Sequence, residues 1–196
     1  MTEHGMGHLM GEFVHSLSGK NPTPAGGAAA AAAVACGIGL FLKVGRITQA
    51  GLEAPEWKRT EAVLEVLSLR ALGAVQADCD AFDAVLAAKR RGEDARAEWV
   101  LATQSPLDLV HVATQALVAF APFREHVKRS LTADCNAAAE LVSAGIAISL
   151  ENARGNLPAV PESGDRERLE RALQDATREA AEVLGCFEKV LRLRST

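Results

Sequence analysis

The stretch NPTPAGGAAAAAAVACG, residues 21–37, restricts the fold of this chain more than any other segment. Two prolines and two glycines lead into a run of alanines that carries almost no side-chain bulk. Helix-forming residues continue beyond it, so we expect a helix from about Gly26 to about Thr48. Side chains this small let a neighbouring helix or a ligand lie directly against the backbone, so close packing is predicted here.

Residues 25–42 form the longest uncharged apolar stretch and approach the ~20 residues that span a bilayer. Because alanine and glycine make up most of this stretch, we expect a buried helix and no membrane insertion. The net charge of −4 and the lack of like-charge blocks also argue against nucleic acid or an anionic membrane as a partner.

The composition favours helices over strands, since tyrosine is absent and aromatic residues make up only 4% of the chain. We therefore predict an all-α fold, a single-domain bundle of about six main helices over residues 1–196. The four cysteines are widely spaced without a CxxC pair and no secretory signal precedes them. This pattern predicts reduced thiols in a cytoplasmic protein and no zinc site.

Apolar periodicity and turn residues divide the chain further. A short first helix carries the apolar residues 9–17, and a third helix begins at Pro55 and breaks near Gly92. Ser105-Pro106 is typical of a helix start and predicts a fourth helix over 105–121. A fifth helix is expected over about 132–155. The last helix has a heptad seam from Leu169 to Val190, which packs within the bundle or against a second subunit.

Polar residues within apolar stripes are the candidate functional groups. Asp78 lies in the buried stripe of the third helix, where a carboxyl needs a partner or a purpose. Asn152 and Asn156 project from one face of the fifth helix and suit a bound heterocycle, although Asn156 equally suits a helix cap. Asp134 is explained as an acid at the start of a helix, and a functional role is indicated only if it shares a cavity with Asp78. The lone His111 is read as a half-buried structural residue.

Gly26 and Gly27 open the second helix, where unpaired backbone N–H groups and the helix dipole suit an anionic or carbonyl oxygen. The alternative is a proline-led loop followed by a tightly packed helix. The sequence alone leaves both interpretations open.

Four motifs together resemble the cyclodeaminase/cyclohydrolase family: NPTPAGG, DCDAF at 78–82, SPLDL at 105–109, and DCNAAAELVSAGIAISLENARGNL at 134–157. This family comprises the cyclodeaminase part of formiminotransferase-cyclodeaminase and stand-alone methenyltetrahydrofolate cyclohydrolases. The resemblance implies a dimeric helical bundle with a folate-binding cleft. It also implies catalytic roles for Asp78 and Asp134 and substrate-binding roles for a second set of residues, namely Pro24, Gly26, Gly27, Thr48, Asn152 and Asn156.

The chain departs from the family pattern at several positions. Ala25 replaces a glycine, Ala28 and Ala133 replace serines, and residues 49–52 lack the usual basic cluster. These changes remove hydroxyls and positive charge that would bind the glutamate tail of a folate.

The resemblance implies hydrolysis of the one-carbon bridge of 5,10-methenyltetrahydrofolate, with formiminotetrahydrofolate cyclodeamination as the closest variant. The expected protein is a cytoplasmic homodimer that acts on a small molecule and needs no cofactor beyond its tetrahydrofolate-type substrate. The alternatives are a diverged enzyme for a non-folate imine or amidine, and an inactive dimeric binding module.

Overall fold

The computed structural model describes residues 6–49 and 55–192, and describes side chains for 10–49 and 55–187. These residues form six α-helices and no strand, which confirms the predicted all-α class. The helices are α1 (Met6–Leu17), α2 (Gly26–Thr48), α3 (Pro55–Arg91), α4 (Arg96–Phe120), α5 (Thr132–Asn156) and α6 (Gly164–Arg192). Short 3₁₀ turns at Ala121–His126, Arg129–Leu131 and Leu157–Ala159 complete the described chain.

Helices α2 to α5 run alternately up and down around one apolar core. The start of α2 lies beside residue 78 of α3 and residue 152 of α5, and the end of α3 meets the start of α4 through the rings of Phe82 and Trp99, 6.0 Å apart. Each helix is therefore antiparallel to its neighbour. The bundle has two ends, one at the start of α2 and one at its end.

The small residues of α2 and α5 let these two helices approach closely. A β-carbon at Gly37 would lie 2.8 Å from the carbonyl oxygen of Ala138, and one at Gly145 would lie 3.0 Å from that of Ala30. Real β-carbons need more room than this, so glycine is required at both positions. The predicted close packing of the alanine-rich segment is confirmed, with α5 as the element that lies against it.

The prediction that the fourth helix begins at Ser105-Pro106 is wrong, because α4 begins at Arg96 and contains Pro106 in its interior. A proline inside a helix leaves the carbonyl four residues earlier without its N–H donor. That carbonyl belongs to Ala102, and it accepts a hydrogen bond of 2.8 Å from Nδ2 of Asn156 on α5. A long-range side chain thus replaces the missing donor, and the helix continues.

The heptad seam of α6 faces its own bundle. Leu169, Ala180 and Phe187 are buried, and α6 packs mainly on α4 and also on α5. The side chain of Val190, at the end of the predicted seam, lies outside the described residues. Of the two partners that the sequence left open for this seam, the structure uses the chain's own core.

Three segments are long and apolar enough, by length and composition, to cross a membrane: Gly26–Thr48, Arg96–His126 and Arg129–Ala159. The first has a mean hydropathy of 1.8. Its composition therefore does not support the expectation that a segment this rich in alanine is too weakly hydrophobic to insert into a membrane. About 61% of its most apolar window is buried inside the protein. Much of its apolar surface is therefore covered by neighbouring helices.

Candidate active site

The carboxyl group of Asp78 lies against the first turn of α2. A β-carbon at Gly27 would overlap the Asp78 carboxylate, so only glycine leaves room for this side chain. The first N–H groups of a helix have no partner inside the helix, and the N-cap residue Ala25 supplies no side-chain hydrogen bond. Asp78 supplies one from α3, because its carboxylate accepts a hydrogen bond from the backbone N–H of Ala28.

Burial raises the pKa of the Asp78 carboxyl above its ordinary value, and the hydrogen bond from Ala28 lowers it in part. The net rise means that desolvation of the charged form outweighs the hydrogen bond. A carboxyl with a raised pKa in a partly open position exchanges protons more readily near neutral pH than an ordinary aspartate. Such a group is suited to general acid-base chemistry.

Asn152 approaches the same first turn of α2 from α5. A β-carbon at Gly26 would lie 3.7 Å from Oδ1 of Asn152 and 3.9 Å from Cγ2 of Ile148, which is ordinary contact. No residue in the described part of the chain hydrogen-bonds to the Asn152 amide, and the side chain is only partly buried. One donor and one acceptor are therefore available beside the α2 N-terminus.

The side-chain amide of Asn156 is not free, because it is bonded to another helix. Its Nδ2 donates to the Ala102 carbonyl that Pro106 leaves without a donor. The side chain bridges α5 and α4, so it holds the bundle together at the site end. Of the predicted amide pair, Asn152 lies at the candidate site, and Asn156 supports the helix behind it.

Pro24 belongs to the loop that leads into this site. The Thr23-Pro24 peptide bond is cis, and the hydroxyl of Thr23 donates to Oδ1 of Asp83 at 2.9 Å. Asp83 lies on α3, five residues beyond Asp78. The loop is thereby attached to the same helix that carries the candidate acid.

Asp134 and Thr48 lie at the other end of the bundle. Asp134 forms an ion pair with Lys43 of α2, with 3.1 Å between Nζ and Oδ2. The rise of an α-helix puts Lys43 about 22 Å from Ala28 along α2, and Thr48 about 30 Å away. Asp134 and Asp78 therefore do not share a cavity within one protomer, and the geometry does not support roles for Asp134 and Thr48 at the Asp78 site.

Sequence reasoning missed two polar features of these helices. The N–H that meets Asp78 belongs to Ala28, whereas the N–H groups of Gly26 and Gly27 had been expected to bind an oxygen of a ligand. Ser149, one turn before Asn152, is buried, and its hydroxyl has no hydrogen-bond partner in the described part of the chain. His111, expected to be half-buried, is exposed, with Nε2 2.9 Å from Nε2 of Gln115.

Fold and site together define an all-helical protein in which a partly buried carboxyl group of α3 lies against the start of α2. The sequence matches the formiminotransferase-cyclodeaminase family over residues 9–175, which is most of the chain. The chain belongs to this family. No curated protein sequence matches it.

Among solved structures, the chain is similar to formiminotetrahydrofolate cyclodeaminase from Thermotoga maritima. The TM-score is 0.85 at 23% sequence identity, and the alignment covers 93% of this chain and 95% of the other. At this identity, the likeness establishes a common fold along nearly the full length of both chains.

Proposed function

We propose that the protein is an enzyme that makes and breaks carbon–nitrogen bonds at the one-carbon bridge of tetrahydrofolate. The observation that carries this proposal is the Asp78 carboxyl, which is partly buried against the α2 N-terminus, has a raised pKa and has the free amide of Asn152 nearby. Membership of the formiminotransferase-cyclodeaminase family supports the choice of substrate class. Cyclodeamination of 5-formiminotetrahydrofolate is the first reaction to test.

In cyclodeamination, N10 attacks the formimino carbon and a tetrahedral intermediate forms. Asp78 accepts the N10 proton and delivers it to the formimino nitrogen. A second proton, drawn from solvent, makes that nitrogen leave as ammonia with the electron pair of its bond to carbon. The product is the methenyl cation, whose charge the Asp78 carboxylate stabilises. A positioned carboxyl contributes about 10²–10⁴-fold to such proton transfers.

The remaining residues of the site bind and orient the substrate. The N–H groups of Gly26 and Gly27 lie at the positive end of the α2 dipole and suit a carbonyl oxygen of the pterin ring. Asn152 offers its amide donor and acceptor to the edge of the same ring. Pro24 shapes the loop over the site.

Hydrolysis of 5,10-methenyltetrahydrofolate is the second candidate, because it passes through the same bridge carbon. Water would add to this carbon and give its proton to Asp78. Asp78 would then protonate N5 as the bond between carbon and N5 breaks. The hydroxyl proton leaves to solvent, and a formyl group remains on N10. The partly open position of Asp78 favours this reaction, since water can reach the carboxyl group.

A cytoplasmic homodimer remains part of the proposal. The four cysteines are free thiols, as a reducing compartment would keep them. A soluble bundle is supported by the burial of the α2 apolar surface inside the protein.

The decisive experiment uses purified protein with each of the two folate substrates and compares wild type with Asp78→Asn. Near-ultraviolet absorbance follows the methenyl chromophore, which appears in cyclodeamination and disappears in hydrolysis, and an ammonia assay confirms the first reaction. Asparagine can still accept the Ala28 hydrogen bond through its amide oxygen, so the fold should persist. We expect kcat to fall by about 10²–10⁴-fold, with little change in helicity.

Asp80→Asn is the matched control, since it makes the same change two residues along α3. In the wild type, the Asp80 carboxylate accepts a hydrogen bond from Gln76 on the exposed side of the helix. We expect this variant to keep wild-type turnover. Equal activity of Asp78→Asn and wild type would assign Asp78 to helix capping alone. No turnover of either folate by folded wild type would exclude the proposed substrate class.

A further inference from the structure

Ser149 places a hydroxyl group without a partner in the core of the bundle. The residue is fully buried, and its hydroxyl makes no hydrogen bond within the part of the chain that the structure describes. A serine inside a helix commonly bonds the carbonyl oxygen four residues earlier, as Ser143 does with Ala139 at 2.7 Å. Because burial of an unpaired hydroxyl is unfavourable, such a group is expected to have a partner in solution.

The contacts of α5 place Ser149 at the level of the candidate active site. Asn152 lies beside Gly26, the first residue of α2. Gly145 lies beside Ala30, one turn further along that helix. Ser149 is between these two contacts, so it lies at the level of the first turn of α2. It belongs to the stripe of α5 that faces the core, whose buried members are Val142, Ile146, Ser149 and Ala153.

Asp78 reaches the same level from the opposite side of the core. It lies in the core-facing stripe of α3, whose fully buried members are separated from it by seven residues or by twice that number, namely Leu64, Ala71 and Val85. Its carboxylate meets Gly27 and accepts a hydrogen bond from the N–H of Ala28. Helices α2 and α4 each pack on both α3 and α5. The two polar groups therefore enter one layer of the core from helices that lie diagonally across the bundle.

A water molecule is the partner that suits both groups. Asp78 and Ser149 do not bond to each other, since the Ser149 hydroxyl has no partner in the described chain. The α2 residue at this level is Ala28, whose fully buried side chain is a single methyl group. No bulky side chain of α2 therefore separates the two polar groups. Water both donates and accepts, and buried waters commonly bridge polar groups that are too far apart for a direct bond.

We propose that Ser149 is a positioning residue of the candidate active site, and that its hydroxyl and the Asp78 carboxylate hold one buried water molecule between them. The Ser149 O–H donates to the water oxygen, and the water donates to the carboxylate. The carboxyl then has a second contact besides the Ala28 N–H, which fixes its orientation for proton transfer. The effect on turnover rests on the proposed function, whereas the water site itself does not.

Charged neighbours do not explain the state of Asp78. Its pKa is raised by burial and lowered by a backbone N–H of α2, and no charged side chain of the described chain is among the causes. Helix α2 carries no charge in its first four turns, and burial raises the pKa of the neighbouring Cys79 thiol. The charged residues nearest to this layer are exposed, namely Asp80 and Asp83 of α3, Asp108 of α4 and Glu151 of α5. A further shift in the Asp78 pKa therefore reports on its uncharged partners.

The test measures the pKa of Asp78 by carbon-13 NMR of protein labelled at the aspartate side-chain carboxyl carbon. The resonance that is lost in Asp78→Asn assigns the signal. Wild type is compared with Ser149→Ala and with the matched control Ser143→Ala, which removes a hydroxyl of the same helix that bonds its own backbone. Thermal unfolding and turnover of the two folates are measured on the same three proteins.

Water donates more strongly to a carboxylate than to a neutral carboxyl, so loss of the bridge disfavours the anion. We expect Ser149→Ala to raise the Asp78 pKa by about one unit. We also expect kcat to fall by about 10-fold with KM little changed, because the carboxyl loses its orientation. Ser143→Ala should keep the wild-type pKa and kcat. An unchanged Asp78 pKa in a Ser149→Ala protein that is more stable than Ser143→Ala would overturn the proposal, since the hydroxyl would then have no partner.

A crystal structure of the wild type provides a second check that does not depend on any variant. We expect an ordered water molecule within hydrogen-bond distance of the Ser149 hydroxyl and the Asp78 carboxylate, and a dry layer would overturn the proposal. If folded wild type turned over neither folate, the proposed reaction alone would be excluded. The NMR titration and the crystal structure would still decide whether the water is present.

Discussion

The two ends of α2 use the same structural device for opposite purposes. At its start, Gly27 makes room for the carboxylate of Asp78, and near its end, Gly45 makes room for the indole ring of Trp57. Both incoming side chains come from α3, and a β-carbon at either glycine would overlap them. One glycine admits a polar group beside free N–H donors, whereas the other admits an aromatic ring into a closed core.

The aromatic end is built for stability. Trp57 packs edge-on against Phe123 and Phe120, with ring centroids 5.2 Å and 6.5 Å away, and Phe41 stacks on Phe120 at 4.4 Å. The Asp78 end instead retains a partly buried carboxyl and an amide without a partner. A glycine at close contact therefore does not mark a functional site by itself. The chemistry of the group that it admits distinguishes the two ends.

Among the glycine variants, the largest expected effect is that of Gly27→Ala at the functional end of α2. The new β-carbon would occupy the position of the Asp78 carboxylate, so the carboxyl must move away from the α2 N-terminus. Misplacement of a catalytic group by about 1 Å costs roughly 100-fold in rate. We expect kcat to fall by about that factor in an otherwise folded protein, as measured with the proposed folate substrates.

Gly26→Ala is the neighbouring control for that change. Its β-carbon would lie 3.7 Å from Asn152, at ordinary contact distance, and its backbone N–H is retained. Most of the activity should survive. If both alanine variants lose activity equally, the loss reflects the helix start in general, and the specific contact between Gly27 and Asp78 is not its cause.

Gly45→Ala tests the aromatic end, where a smaller effect is expected. The added β-carbon would overlap the Trp57 ring, and overpacking of a core costs about 1–3 kcal/mol. We expect Tm to fall by several degrees with turnover unchanged at temperatures where the protein is folded. In the matched control Gly39→Ala, no atom lies within 4 Å of the new β-carbon, and Tm should rise slightly because alanine favours helix. Equal Tm in the two variants would contradict the packing role.

Sequence periodicity predicted most helix bounds, including α2 and the end of α3, because turn residues and apolar repeats are local features. The start of α4 was not predictable in this way. Pro106 is tolerated inside a helix only because Asn156, distant in sequence, donates to the Ala102 carbonyl. A local pattern cannot contain that information.

The site was predictable in part for the same reason. Asp78 stood out as a carboxyl within an apolar stripe, and the structure places it beside the α2 glycines. Thr48 lies at the opposite end because it is the last residue of the helix that Gly26 begins, and Asp134 lies there because α2 and α5 are antiparallel. Spacing along a chain does not reveal which ends of two helices come together.

The pH dependence of stability distinguishes the Asp78 carboxyl from an ordinary surface aspartate. Its pKa is raised in the folded protein, so the folded state keeps the proton at pH values where the unfolded chain has released it. The resulting stabilisation is fully present below about pH 3.9, the ordinary aspartate pKa, and is lost as the pH rises through the raised value. Wild type should therefore lose stability relative to Asp78→Asn across that window.

Urea unfolding of the two proteins at a series of pH values measures this difference directly. A wild type that gains stability relative to Asp78→Asn as the pH rises would contradict the prediction. It would mean that the Ala28 hydrogen bond and the α2 dipole favour the anion by more than burial disfavours it.

The smallest expected effect belongs to Asp134→Asn, which tests whether the two ends are functionally separate. Asp134 pairs with Lys43 at the surface, where the side chains are 38% and 55% exposed. Such pairs contribute about 0–1 kcal/mol, and salt weakens them. We expect a slight loss of stability that disappears at high ionic strength. Because the pair is weak and distant from Asp78, kcat should stay within about two-fold of wild type.

Comparison of Asp134→Asn with Asp78→Asn then shows whether Asp134 belongs to the active site. If Asp134→Asn loses turnover as severely as Asp78→Asn, its carboxyl must reach substrate held by another protomer, because about 22 Å of helix separates the two ends within one chain. Mixing the two inactive variants would test that possibility, since a shared site regains activity in a heterodimer. If turnover is retained, one end of the bundle carries the chemistry, and the other serves stability.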